Sequence, residues 1–279
     1  LSKLLADQNL MYKNVGFGSR ERTMLQSSSR PVYVIAPCHK NVSDFAEAEF
    51  WLHRAREEDA AVILMSSLMV FKRDTQKRVN VNCQNFSDSE MAENFLHLEQ
   101  LARQNSQHII LRTGDVFSLM ADDFALDIIH IIRNEHRLIL NDSKLFEPTP
   151  ADDVAVVVLA IIRQTQCSDA LWGTYHFSGV EAVSAYHFAE ALLSEAGQYE
   201  DLSDTILEAS DVNTSHGSSS DAVIADVEFP EGLLTESSLP EILCPMTEHE
   251  HLFHTFGIKS KAWRQGMSRL LRRYYSVEK

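Results

Sequence analysis

Short apolar runs alternate with longer amphipathic stretches along the first half of the chain. Residues 32–36, 61–65 and 108–111 are dense in Val, Ile and Leu and bounded by polar residues, the pattern of strands buried on both faces. Between them, residues 43–58 and 87–103 carry apolar side chains at helical spacing. In the second stretch Met91, Phe95, Leu98 and Leu101 fall on one face, and Ser87 or Asp88 is placed to cap the first turn. Strand, helix, strand, helix predicts a parallel sheet with right-handed crossovers, a doubly wound α/β domain. Residues 154–162 form an uninterrupted apolar stretch that reads as a buried helix, with Asp152 and Asp153 placed to cap it and meet its dipole.

The pattern fades after Gly197. Residues 198–245 are acidic and Ser-rich, with only two short apolar stretches at 222–227 and 239–243, and read as a loop-rich part of a smaller lobe. The expected division is a sheet domain over residues 1–145 and an interleaved, smaller α+β lobe over 146–279 that ends in a basic helix at 260–276. The first ten residues read as a helix with no strand before it, so the natural start is expected upstream.

Charge adds a second pattern. Residues 164–258 hold 17 Asp and Glu and no Lys or Arg, whereas residues 259–279 hold seven Lys and Arg against one Glu. Packing of the basic helix against acidic surface explains this more simply than a docking tail. A chain of net charge -15 is an improbable ligand for nucleic acid, which needs clustered cations. The apolar run 154–162 is far shorter than the roughly 20 residues of a membrane span. Four scattered cysteines without a C-x-x-C pair, and no signal peptide, point to a cytoplasmic chain without disulfides. The run His249-Glu250-His251 lacks the second histidine of H-E-x-x-H, because Phe253 stands there, so no metal is expected.

Five segments, in order, carry a resemblance. They are Ile63 to Phe71 (ILMSSLMVF), Leu111 to Phe117 (LRTGDVF), Glu147 to Ala155 (EPTPADDVA), Gly173 to Gly179 (GTYHFSG) with Ser184 to Glu190, and Phe256-Gly257-Ile258 running through Trp263 to Leu271. Together they resemble the dTDP-4-dehydrorhamnose reductases, an extended short-chain dehydrogenase family. The resemblance implies a Rossmann-like domain, NAD or NADP as cofactor and a nucleotide or nucleotide sugar as ligand. It also implies a homodimer through the helices at 43–58 and 87–103, or another protein partner.

That family places a Ser or Thr at a strand end to position the substrate carbonyl, a Tyr to transfer the proton, and a Lys four residues later to lower the Tyr pKa. Ser67 matches the Ser/Thr place and Ser66 lies beside it against the cofactor. By position, Phe86 and Glu90 match the Tyr and Lys. No tyrosine occurs between Tyr33 and Tyr175, so the proton donor is missing whatever the offset. Glu90 would bring a negative charge where a positive one is needed to lower a phenol's pKa. The family's order makes residues 12–17 a second strand, puts the glycine-rich turn before Leu1, and sets Ser19, Arg20 and Arg22 near the adenosine ribose or a 2′-phosphate. Arg112, Thr113 and Asp152 match its substrate cleft, and Arg112, Lys144 or the terminal helix could supply a cation for a diphosphate. Two functions follow: a non-catalytic member that binds a nucleotide, metabolite or protein, or an active NAD(P)H-dependent reductase using Ser67 and an unrecognised acid.

Overall fold

Val62, Ile63 and Leu64, with Ile109, Ile110 and Leu111, have no exposed surface, so both faces of their sheet must be covered. The computed structural model describes residues 1–8, 10–16, 31–38, 42–73, 77–119, 124–210 and 244–277. A short helix α1 (Ser2–Asp7) is followed by β1 (Val32–Ile35), α2 (Val42–Glu57) and β2 (Ala61–Ser67), which runs into a 3-10 turn (Leu68–Val70). Next come α3 (Glu90–Ala102), β3 (His108–Thr113), β4 (Val116–Phe117), α4 (Phe124–Glu135), β5 (Arg137–Asn141), β6 (Leu145–Phe146) and β7 (Thr149–Pro150). Then follow α5 (Ala151–Thr165), β8 (Gly173–Phe177), β9 (Val183–Ser184), α6 (Ala185–Ala196), β10 (Ile206–Ser210), α7 (Glu250–Phe256) and α8 (Trp263–Val277).

The main sheet has the order β1-β2-β3-β8 and every pairing is parallel. Because strand side chains alternate between faces, Val62, Leu64 and Ile110 pack with Phe45, Leu52, Phe95 and Leu98 of α2 and α3. Ile63, Ile109 and Leu111 face the other way, against Val154, Val157, Val158 and Ile161 of α5 and Leu252 and Phe256 of α7. The result is the helix–sheet–helix layering expected from the alternating pattern. The predicted strands at 32–36, 61–65 and 108–111 and the two amphipathic helices are all present, with shifted ends.

A second core joins residues distant in sequence. Phe117, Ile128, Ile129, Leu138 and Phe146 pack with Phe188 and Leu192 of α6 and with Trp263, Met267, Leu270 and Leu271 of α8. The parallel pair β5–β10 covers this lobe, and the two-residue pairings β4–β7 and β6–β9 stitch the connections. The lobes interleave: β8 and α5 complete the main sheet, while α4 and β5, which precede residue 145, belong to the smaller core.

Several local expectations are corrected. Residues 10–16 are irregular rather than a strand, and Phe17 lies outside the described residues. The cap of α3 is Ser89, whose Oγ accepts from Ala92 N at 3.2 Å, rather than Ser87 or Asp88. Its buried face is Ala92, Phe95, Leu98, Glu99 and Ala102, rotated from the stripe read through Met91 and Leu101, so that it includes a carboxylate. Asp152 and Asp153 occupy the first turn of α5 but the N-cap is Pro150. Their carboxylates meet the basic helix instead: Arg269 donates to Asp153 at 2.9 Å and Arg273 to Asp152 at 3.1 Å. The closing helix does pair with acidic surface, although of the residues in the acidic stretch 164–258 only Glu181, 3.6 Å from Arg264, is an ion-pair partner of α8 among those described. The part of that stretch at 211–243 lies outside the described residues.

Two motif glycines have backbone reasons. Gly257 ends α7 at φ 69°, donating its N–H to Phe253 O at 2.8 Å, a left-handed cap that a Cβ disfavours. At Gly179 an added Cβ would sit 2.2 Å from the Pro148 carbonyl oxygen, and neither main chain can yield easily. Gly179→Ala is therefore expected to destabilise the fold by about 1–3 kcal/mol, the usual range for overpacking, seen as a lowered midpoint in urea with unchanged m-value.

Candidate functional site

Parallel α/β sheets present ligand crevices outside the carboxyl ends of their strands, and here those ends are Ser66-Ser67, Arg112-Thr113 and His176-Phe177. Register sets Ser66 beside Arg112 and Ser67 beside Thr113, and carries both on to β8 through His176 and Phe177. Of the residues singled out in the sequence, Ser66, Ser67, Arg112 and Thr113 are thus brought together. Alternation then sends Ser66 and Arg112 toward α3 and Ser67 to the opposite side.

On the α3 side lies a buried ionic network. Glu99 has no exposed surface. It accepts from Ser66 Oγ at 2.7 Å, from Arg112 Nε and Nη2 at 2.7 and 2.6 Å, and from Arg103 Nη2 at 2.9 Å. Burial pushes its carboxyl up, but the Arg112 hydrogen bonds and charge, with Ser66 and Arg103, outweigh it and hold the group below the usual carboxylate range. Arg112 also lies 4.8 Å over the Phe71 ring and meets His176 Nε2 at 3.3 Å. As the guanidinium can only donate, Nε2 is the acceptor, and His176 Nδ1–H donates to Thr247 Oγ1 at 2.8 Å. Burial, seconded by the Arg112 charge, pushes the His176 pKa down to about 3, so the ring is neutral. Arg112 is 2% exposed; its guanidinium is committed inward and faces no open surface.

Beyond β8 a second buried carboxylate, Glu147, accepts from Ser178 Oγ at 2.6 Å and Thr247 N at 3.1 Å, and is paired with Arg78. His249 stands 3.8 Å away. Burial raises the Glu147 pKa, and nearby His249, the bonds from Ser178 and Thr247, and the Arg78 charge bring it below its ordinary value.

On the other side Ser67 caps the 3-10 turn, its Oγ accepting from Met69 N at 3.2 Å and lying 3.6 Å from Cys244 Sγ. Cys244 in turn meets Asp115 through its thiol and backbone N–H. Burial raises the Asp115 carboxyl to about 7, only partly offset by Cys244 and Arg73, and its Oδ2 is buried without a partner. Ser67, Cys244 and Asp115 form a polar line at the strand ends.

Phe86 stacks on Phe71, centroids 5.4 Å apart and planes 12° from parallel, and bridges it through the backbone. Phe86 is thus the outer leaf of a stack whose inner leaf carries Arg112. Glu90 is the exposed first residue of α3, where a carboxylate suits the helix dipole. No tyrosine and no lysine occurs anywhere in α3. Thr113 Oγ1 ties β3 to β2 by donating to Ser66 O at 3.3 Å. Asp152 is partly exposed and pairs with Arg273 of α8. Ser19, Arg20 and Arg22 lie outside the described residues.

Glu99, Asp115, Glu147, His176 and Cys244 were not singled out from sequence. Glu99 sits seven residues after Ala92 and four after Phe95, an acid at core spacing, and that was the available signal. Asp115, Glu147 and His176 fall inside the quoted motifs, but nothing local marks them as buried. Among the described residues no group of three or more His, Cys, Asp or Glu could hold a metal. No helix among them is long and apolar enough to cross a membrane.

A dinucleotide would need a glycine turn against its pyrophosphate. The described residues hold no such turn: Gly16 has open space around it, and Gly114 and Gly179 are packed against Ser178 and Pro148. Among the described residues, Ser67 could face a ligand carbonyl.

Arg112→Met leaves the buried Glu99 with Arg103 as its only cation and is expected to destabilise by about 3 kcal/mol; adding Glu99→Gln should restore part of that loss in chemical denaturation. Asp115 behaves oppositely to Glu99 with pH. Its folded pKa near 7 exceeds its unfolded 3.8, so its contribution is present below 3.8 and lost as pH rises through 7. Asp115→Asn keeps the neutral form, and its melting temperature relative to the parent should climb between pH 4 and 7.

Residues 46–230 match the family model of the RmlD substrate-binding domain. The chain is 25% identical over 173 residues to a dTDP-4-dehydrorhamnose reductase of Sinorhizobium fredii, covering 61% of this chain and 51% of that protein. It is 32% identical over 89 residues to the Aggregatibacter actinomycetemcomitans dTDP-4-dehydrorhamnose reductase, covering 32% of this chain and 30% of that one. The chain thus aligns with about half or less of the curated relatives it matches. Crystal structures of dTDP-4-dehydrorhamnose reductases share the fold: that from Clostridium acetobutylicum at TM-score 0.62 and 15% identity, covering 81% of this chain and 70% of its own. The Bacillus anthracis enzyme, in complex with NADP, gives 0.63 and 16%, covering 82% and 70%. With the parallel sheet and its flanking helices in place and a family model spanning more than half of its length, the chain belongs to the RmlD substrate-binding domain family of dTDP-4-dehydrorhamnose reductase-like proteins.

Proposed function

We propose that this chain is a dTDP-4-dehydrorhamnose reductase-like protein that binds a nucleotide or nucleotide sugar at the carboxyl ends of β2 and β3 and has lost the proton relay of hydride transfer. The observation that carries the reading is α3, which offers no phenol and no ammonium, while Phe86 is engaged in a ring stack. Ser67 keeps one O–H that can donate to a carbonyl oxygen. A hydrogen bond to that oxygen orients a ligand; reduction also needs a group that delivers a proton. Loss of such a positioned acid costs about 10²–10⁴ in rate. The relatives' names suggest the ligand class, a dTDP-linked sugar, and the NADP of the B. anthracis enzyme suggests NAD(P) as a second ligand. A cytoplasmic location belongs to the same reading.

One observation favours a second reading, an active reductase. Asp115 holds its proton up to about pH 7 and shares Cys244 as a neighbour with Ser67, the place for a substitute acid.

Titration with NADH, NADPH and dTDP-glucose by calorimetry, followed by an assay of cofactor oxidation with a dTDP-4-keto sugar, separates the two. Binding of dTDP-glucose without turnover above the protein-free rate is expected. Turnover that disappears in Asp115→Asn would replace the first reading with the second.

A further inference from the structure

The segment that follows the acidic stretch runs directly over the retained serine. Residues 244–249 pair with Val79: Val79 N donates to Met246 O and Glu248 N to Val79 O, both at 2.9 Å. Thr247, with no exposed surface, is the fixed point. Its N–H goes to Glu147, its hydroxyl donates to Val79 O at 2.8 Å and accepts from His176, and its carbonyl accepts from Arg78 at 2.7 Å. Three residues earlier the hold is burial, since Cys244 belongs to the same core cluster as Leu68, Val70 and Phe71. Cys244, 6% exposed, touches Ser67 Oγ at 3.6 Å through sulfur and meets Asp115. Ser67 spends one lone pair on Met69 N and keeps its O–H and a second lone pair; either atom can donate in the contact with Cys244, and sulfur is weak in both roles.

That O–H is the donor which, on the reading above, meets a ligand's carbonyl or hydroxyl oxygen. We infer that residues 244–246 are an intramolecular stand-in for the ligand: Cys244 occupies the position of the ligand oxygen against Ser67 and withdraws, pivoting at Thr247, when a nucleotide sugar enters. The exchange replaces the weak sulfur contact by a stronger O–H···O bond, gives up the Val79 N to Met246 O bond, and leaves Thr247 held through its own N–H, hydroxyl and carbonyl. Asp115, freed from the Cys244 thiol, then faces the same ligand. The strap makes binding weaker than the crevice alone would give, because ligand and side chain compete for one place.

The inference rests on the crevice being the nucleotide-sugar site, and its test separates the two. In protein carrying Cys38→Ser, Cys83→Ser and Cys167→Ser, Cys244 is the sole thiol, and its reaction with a disulfide reagent is followed with and without dTDP-glucose. Slow labelling that quickens several-fold with saturating dTDP-glucose is expected, as is about tenfold tighter binding of dTDP-glucose to Cys244→Gly, which empties the position. Cys244→Ser, which refills it, should bind as the parent does, and circular dichroism would confirm that both variants fold. Binding with Cys244 equally or better protected, or equal affinity in Cys244→Gly and parent, overturns the strap alone. Absence of dTDP-glucose binding in every form overturns both the strap and the proposed ligand.

Discussion

A carboxylate taken wholly out of water must be met by cations and donors or it does not stay charged. Glu99 is met on all sides, and the way it is met organises the carboxyl edge of the sheet. Ser66 comes from β2, Arg112 from β3, Arg103 from the end of its own helix. Because Arg112 turns its Nη1 toward His176, the histidine has only one tautomer available, and that tautomer aims its N–H at Thr247. One desolvated charge thereby determines the position of α3, three strand ends and the segment laid across them. The polar residues at this edge are less a collection of free groups awaiting substrate than parts of a closed circuit of hydrogen bonds.

This arrangement also decides where the motif side chains point. Ser66 and Arg112 keep residue types compatible with a reductase, yet their side chains face inward to Glu99. Phe86 adds a ring that shields Arg112 from outside through Phe71. The groups that remain on the crevice side, Ser67, Cys244 and Asp115, come from three separated stretches of chain and owe their proximity to tertiary folding alone.

Legibility in the sequence divides along the same line. Strands buried on both faces wrote themselves as Val and Ile runs, and the motifs around Gly179 and Gly257 mark real backbone constraints. The rotation of the α3 stripe was hidden because Met91 and Leu101 are apolar yet only partly buried, while the buried Glu99 reads as surface. Cys244 follows a stretch without periodicity, so no local pattern connects it to Ser67, 177 residues earlier. The strand expected at 12–17 came from the family's order rather than from residues, and 10–16 lack an alternating apolar face to support it.

The smaller core unites Phe117 and Ile129 with Trp263 and Leu271, elements separated by more than a hundred residues. During synthesis the ribosome delivers all four strands of the main sheet, the last ending at Phe177, long before α8 emerges. Until then Phe188, Phe146 and their neighbours have no lid and remain sticky, an interval in which a nascent chain is open to chaperones and to misassociation.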